Sequence, residues 1–305
     1  MARAEQAFLE ALSLEPNLPR AWTGLAGVYN IQYWDHGKID RAAAFRKKRA
    51  ALEQALALDP DSAAAHVRLG RVYDFEGNRE AAEQHYQRAR EVGTRDPMGL
   101  VLLAGILANE GRLEEAIETQ RRAIVLDPLA ATFHANLGFM LLSAGRTREA
   151  EAALERALSI SDHLRSDLAY AFATARILRS EFDEALALVP EIESMEDRIA
   201  VRAMAAHGLG RSATADELAD ELAALDGPRA IVRLAEVRSF RGDPEAVFAA
   251  LDQLESILEA SEGELTAIGQ PLMELQHSPF IGDLQGEPTL IQRLREIFDS
   301  YFTGG

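Results

Sequence analysis

Cysteine is absent from all 305 residues. That removes disulfides, thiolate zinc sites and cysteine nucleophiles together. Lysine is nearly absent: Lys38, Lys47 and Lys48 are three of 32 basic residues, an arginine bias of the kind a GC-rich bacterial genome produces. No apolar run approaches the roughly 18–20 residues that span a bilayer. The opening Ala2-Arg3-Ala4-Glu5-Gln6 lacks the layout of a secretory leader, so a cytoplasmic location is the expectation.

Catalytic signals are missing as well. The seven histidines are scattered, with no His-Glu-x-x-His and no glycine loop followed by Lys-Ser/Thr. His36 and His163 sit in turns beside Asp35 and Asp162, a pairing too common to indicate metal. Gly208-Leu209-Gly210 reads as a helix turn, and no Ser–His–acid grouping stands out. The expectation is no catalytic residue, no cofactor and no metal.

Positive charge is also scarce in one half. Residues 1–180 are near balance, net −1, whereas residues 181–305 carry net −16 of the overall −17. That half repels nucleic acid, which is not an expected partner. It either attracts a cationic partner or solubilises outward helix faces.

What is present is a 34-residue beat. Ala63, Pro97 and Ala131 open three successive units; His66, Leu100 and His134 follow at place 4, and Leu69, Leu103 and Leu137 at place 7. Gly70, Ala104 and Gly138 occupy place 8; Ala82, Ala116 and Ala150 place 20; Ala89, Ala123 and Ala157 place 27. Places 4, 7, 8 and 11 share one face of a first helix, and 20, 24, 27 and 28 one face of a second. Small residues at 8, 20 and 27 let the two backbones approach. Gly77, Gly111 and Gly145 stand at the intervening turn, where a left-handed residue ends a helix. Each unit is therefore an antiparallel helix hairpin, and hairpins at this period stack because none buries its apolar face alone.

With Trp22, Leu25, Ala26 and Tyr29 filling the first-helix places of an earlier unit, and Pro16, Pro60 and Pro128 at the closing proline place, the pattern resembles the tetratricopeptide repeat over residues 4–162. Thr94 and Asp162 replace that proline in two units, whose junctions are expected to be looser. The resemblance implies an all-α fold, a right-handed α-α superhelix of antiparallel hairpins, with partners held in its concave groove. The organisation expected is a half repeat at 1–16 and a regular array at 17–162. Degenerate hairpins follow at 163–261 and capping helices at 262–305. In the degenerate part, a second helix is expected around Glu184–Ile192, and Asp243 and Pro244 are expected to start another.

Three departures from regularity stand out. Pro16 and Pro60 are 44 residues apart, ten more than one period, and the excess falls near 33–43. The basic run Arg46-Lys47-Lys48-Arg49 follows; it reads either as the solvated face of a lengthened second helix or as a contact for a partner or anionic surface. Residues 2–15 look like a second helix without its first, so either the chain is cut from a longer protein or something packs there, self-association included. Finally, Pro279-Phe280 and Leu284 to Pro288, with a helix carrying Leu290, Ile291, Leu294, Ile297, Phe298 and Phe302 after them, resemble the terminal segment of repeat arrays in bacterial protein kinases, class III adenylyl cyclases and winged-helix regulators. That likeness implies an array ending here after an upstream signalling domain.

Groove-lining places give the candidate partner-binding residues Arg20, Asn30, Arg68, Arg71, Phe75, Val101, Asn109, Asn136 and Phe139. Of the family's peptide-carboxylate clamp only Asn136 fits, so chaperone-tail binding of that type is not expected. The remaining pattern suits an extended or helical peptide, acidic near Arg68 and Arg71 and apolar beyond. Equally, those arginines pair with local carboxylates such as Asp74. Three roles stay open: a protein-interaction scaffold, an oligomerisation or assembly module, and the accessory arm of an upstream enzyme.

Overall fold

Glycine and proline punctuate helix after helix, and the helices fall where they do so. The computed structural model describes residues 2–34, 41–92, 96–243, 245–260, 274–281 and 293. Among them, all regular structure is helical. The chain divides into two compact units, residues 1–106 and 107–304.

The first unit holds α1 (Ala2–Leu14), α2 (Pro19–Trp34), α3 (Arg41–Leu58), α4 (Ala63–Phe75), α5 (Arg79–Val92) and the start of α6 (Pro97–Asn109). The second holds α7 (Leu113–Leu126), α8 (Ala131–Ser143), α9 (Thr147–Ile160), α10 (Arg165–Leu178), α11 (Phe182–Ala187), α12 (Met195–Gly208), α13 (Ser212–Ala223), α14 (Pro228–Phe240) and α15 (Glu245–Ala260). A short helical turn at 274–277 follows.

Helix starts have local causes. Ser62 caps α4 by accepting the Ala65 amide at 3.4 Å, and Asp96 caps α6 by accepting the Gly99 amide at 2.9 Å. Helix ends repeat one device. Gly77 has φ 74°, and the amides of Gly77 and Asn78 return to Asp74 and Tyr73 at 3.0 and 2.8 Å. That is the Schellman closure, which satisfies carbonyls the helix leaves open. The same pair of bonds recurs after α10, where the left-handed residue is Ser180 at φ 61°.

Packing sharpens the meaning of place 8. A Cβ on Gly70 would lie 2.4 Å from Cε1 of Tyr86, and one on Gly138 would lie 2.5 Å from Cδ2 of Leu154. The missing side chain is a socket for the large residue at place 24 of the same hairpin. Around these sockets the first unit buries Leu25, Leu52 and Val72 in one cluster and Val67, Tyr86 and Ile106 in another. In the second unit Ile117, Leu141 and Leu154 form one core, and Ile177, Met204 and Leu222 form another.

The insertion extends both helices of its hairpin, not the second alone. α2 has 16 residues against 13 in α4, and α3 has 18 against 14 in α5. The rest of it, and the expected loose junction at Thr94, lie outside the described residues. The other junction, at Asp162, is a 3-10 turn, Asp162–Leu164.

One expected helix is shorter than its pattern. α11 stops at Ala187 and a 3-10 turn, Val189–Glu191, continues to Ile192. Pro190 lacks the N–H that would bond back to Leu186, so the α-helical ladder ends before it. Pro244 and nearly all of the expected terminal helix lie outside the described residues. Of that last stretch Arg293 is described, pairing with Asp252 and with Glu255 at 3.4 Å.

Candidate partner-binding surfaces

In the first unit, the helix period of α4 puts Arg68 and Arg71 three residues apart on one face. Opposite them α2 carries Gly27, where a Cβ would come within 3.0 Å of Arg68 Nη1. The glycine leaves room for the guanidinium against α2. There Arg68 is largely desolvated, which lowers its pKa; Arg71 lowers it further and Asp96 opposes both. Its Nε is buried and has no hydrogen-bond partner among the described residues.

Lys48 joins this pair from α3. It is 8% exposed, with Nζ 5.4 Å from the centre of the Phe45 ring. Burial, then Arg71 and Arg68, bring its pKa down to about 7. The basic run is therefore not a uniformly solvated face. Its neighbours do face outward: Lys47 lies over the Tyr29 ring at 5.4 Å, and Arg49 bonds Glu76 at 2.8 Å.

Asp74 does not neutralise the arginines. Its carboxylate accepts the Tyr86 hydroxyl, and it forms no ion pair with Arg68 or Arg71 among the described residues. Burial raises its pKa, while the Tyr86 bond, Arg79 and Arg71 hold it down. Tyr86 is raised, by burial and then by Asp74.

The repeated histidines at place 4 are packing residues with a polar task. His66 and His134 set Nε2 at 2.9 and 3.1 Å from the carbonyl oxygens of Pro60 and Pro128, the closing prolines before their helices. His66 also meets His85, Nδ1 to Nδ1 at 2.9 Å.

In the second unit, residues 274–281 lie against the helix ends. Gln276 Nε2 donates to the Asn109 carbonyl at 2.9 Å, and His277 Nε2 meets Asn109 Oδ1 at 2.8 Å. Ser143 Oγ donates to the His277 carbonyl at 2.6 Å, and Ser239 Oγ to that of Phe280 at 2.8 Å. Phe280 packs edge-on against Phe240 with ring centres 5.8 Å apart. Burial lowers the His277 pKa.

One buried ion network ties this segment to the helices. Arg233, 4% exposed, reaches Asp197 at 2.6 Å, Glu274 at 2.7 Å and Glu236 at 3.0 Å. Its guanidinium stacks 4.2 Å from the centre of the Tyr170 ring, and the Tyr170 hydroxyl donates to Glu236 at 2.8 Å. Burial pushes Arg233 toward neutrality, but its carboxylates and Tyr170 more than offset that.

The sequence-derived residues are thus dispersed. Arg68 and Arg71 come together with Lys48; Arg20 is exposed on the first turn of α2. The side chains of Asn30, on α2, and Phe75, at the end of α4, lie outside the described residues. Val101 is half-buried on α6, Asn136 half-buried on α8, and Phe139 is 43% exposed beside it. Asn109 is occupied within the chain by Gln276 and His277.

Sequence reasoning missed Arg233, and it took Lys48 only as part of a basic run, read as a solvated helix face or a partner contact. Lys48 was hidden in a charge run, although it lies i+3 from Phe45 on the face that also buries Ala44, Ala51 and Leu52. Arg233 lies between Val232 and Leu234 with Glu236 one turn on, a charged pair inside an apolar stretch.

A profile of the family described as "Tetratricopeptide repeat" matches residues 33–100, and a second profile of the same description matches 99–128 and 131–163. The human Protein O-mannosyl-transferase TMTC3 is 26% identical over 194 residues, 59% of this chain and 20% of that protein. The Type IV pilus assembly protein PilF of Pseudomonas aeruginosa is 28% identical over 133 residues, 43% of this chain and half of PilF. The chain thus spans a fifth to a half of the length of these relatives. Among solved structures, a tetratricopeptide repeat protein from Parabacteroides merdae covers 88% of the chain, and is itself 98% covered, with TM-score 0.54 and 14% identity. Pseudomonas aeruginosa PilF covers 67%, is 90% covered, and has TM-score 0.50 and 21% identity. These last two likenesses concern the fold.

Proposed function

We propose, for a chain that is a tetratricopeptide-repeat protein through residues 33–163, a scaffold role in which the first unit holds an acidic segment of a protein partner. The repeat is an interaction module, and its chemistry here is recognition. The observation that carries the acidic preference is the meeting of Arg68 and Arg71 with no carboxylate ion-paired to either among the described residues. Unpaired guanidinium groups bind carboxylates through charge-assisted, often two-pronged hydrogen bonds. Apolar anchors such as the exposed Met98 supply the rest of the contact.

The test is affinity capture from the native host, wild type against the Arg68→Glu/Arg71→Glu double variant, with captured proteins identified by mass. A protein held by the wild type and lost by the variant supports the reading. Equal capture by both removes it. The likeness to a pilus assembly protein favours a second reading, in which the chain helps build a larger assembly. Concentration-dependent mass of the purified chain, or co-assembly with a structural subunit unaffected by the arginine reversal, would favour that reading instead.

A further inference from the structure

Residues 274–281 meet the second unit as a peptide meets a receptor. The contacts named above fall on α6, α8 and α14, each the first helix of its hairpin. Two of them read no side chain. Ser143 and Ser239 donate their hydroxyls to the carbonyls of His277 and Phe280, three residues apart, at 2.6 and 2.8 Å. Two others do read side chains. The Glu274 carboxylate lies 2.7 Å from Arg233 and 3.5 Å from Arg229. Six residues on, Phe280 is buried and stands edge-on to Phe240.

Lifting the segment away strands no buried charge. With Glu274 in place, Arg229 and Arg233 meet three carboxylates, those of Asp197, Glu236 and Glu274. Without it, two arginines meet two carboxylates, and Arg233 keeps Asp197 at 2.6 Å and Glu236 at 3.0 Å. Breaking a buried ion pair is costly when it leaves a charge uncompensated; here the helices hold their own balance. Apolar surface behaves differently. The segment buries Leu275, Phe280 and Ile281, so the bared face would be apolar and open to an occupant.

We propose that this face of the second unit is a peptide-binding site held shut by the chain's own residues 274–281, and that its partner is a protein segment carrying a carboxylate side chain six residues before an aromatic one. The serine hydroxyls hold the backbone of any such segment, while Arg229, Arg233 and Phe240 select its two anchors. Tethering presents the internal ligand at an effective concentration on the order of millimolar. A partner therefore takes the site by matching both anchors and adding contacts of its own. The site lies in the second unit and does not depend on Arg68 or Arg71.

The probe is a fluorescein-labelled peptide of residues 272–283, followed by polarisation against the full chain. The receptors are the wild type and Glu274→Gln/Phe280→Ala, which loosens the internal ligand and leaves α6, α8 and α14 unchanged. The loosened chain is expected to bind the peptide at least about tenfold more tightly than the wild type does. Replacing the peptide's glutamate by glutamine, or its phenylalanine by alanine, should weaken that binding about tenfold. Adding Ser143→Ala/Ser239→Ala to the loosened chain should weaken it about as much. Equal binding by both chains, or binding indifferent to the two anchors of the peptide, overturns the proposal. Circular dichroism checks that each variant folds. If the loosened chain does not, amide exchange of the wild type decides: residues 274–281 should open at a lower free energy than α12 and α14. Exchange there only in step with those helices makes the segment a fixed part of the core and overturns the proposal. A wild-type dimer that the peptide separates assigns the site to a second copy and overturns the separate partner.

Discussion

Ser180 is where one side chain works against its backbone. Its φ of 61° belongs to the position that glycine fills in the corresponding turns at Gly77, Gly111, Gly145, Gly210 and Gly242. An L-residue there costs roughly 1 kcal/mol, so Ser180→Gly should stabilise the chain by about that amount, read as a higher urea midpoint at unchanged slope. The opposite holds at Gly138, where a methyl group would lie 2.5 Å from Leu154. Gly138→Ala should cost about 1–3 kcal/mol by overpacking, and the combined Gly138→Ala/Leu154→Ala variant should depart from additivity because the two share one socket. Additive costs in the same unfolding assay would show that the socket is not what makes the glycine necessary.

Helices α10, α12 and α14 meet through charge as well as through their apolar cores. Arg233 belongs to α14, yet it satisfies Asp197 on α12, Glu236 on its own helix and Glu274 in the 274–281 segment, while covering Tyr170 of α10. Replacing it by methionine strands buried carboxylates, at a cost of about 3–5 kcal/mol. In a repeat fold each hairpin depends mainly on its neighbours. Arg233→Met should therefore speed amide exchange in α12, α14 and residues 274–281, and leave α4 and α5 protected as before. Faster exchange in α4 and α5 would contradict that local account.

Across the whole molecule, pH reaches stability through Lys48. Its pKa falls from 10.5 in the unfolded chain to about 7 in the folded one. Between those values the unfolded chain holds a proton the folded chain lacks, so stability rises as pH climbs through that window. Below about 7 the full penalty of a buried ammonium applies. Lys48→Met removes the penalty, so its stability advantage over the wild type should be largest below pH 7 and fade toward pH 10, followed by denaturant midpoints at several pH values. An advantage constant with pH would mean that Lys48 is solvated.

The hairpin architecture was legible before any coordinate, because a 34-residue recurrence of small and large residues allows few packings and because glycine, proline and capping side chains act within a few residues of themselves. Places 4, 7, 8, 20, 24 and 27 carried most of the core, although of the place-4 histidines His134 is buried and His66 only half-buried. What the sequence could not supply was which charges meet. Arg68 and Arg71 share a helix face by periodicity alone, but Lys48 joins them only because α3 folds back beside α4, and Asp74 leaves them for Tyr86 across the hairpin. Arg233 finds Glu274 41 residues away, and Asn109 finds His277 168 residues away. Pattern determines what each helix buries; desolvation and pairing of charge depend on distances between helices, and those exist only once the chain has folded.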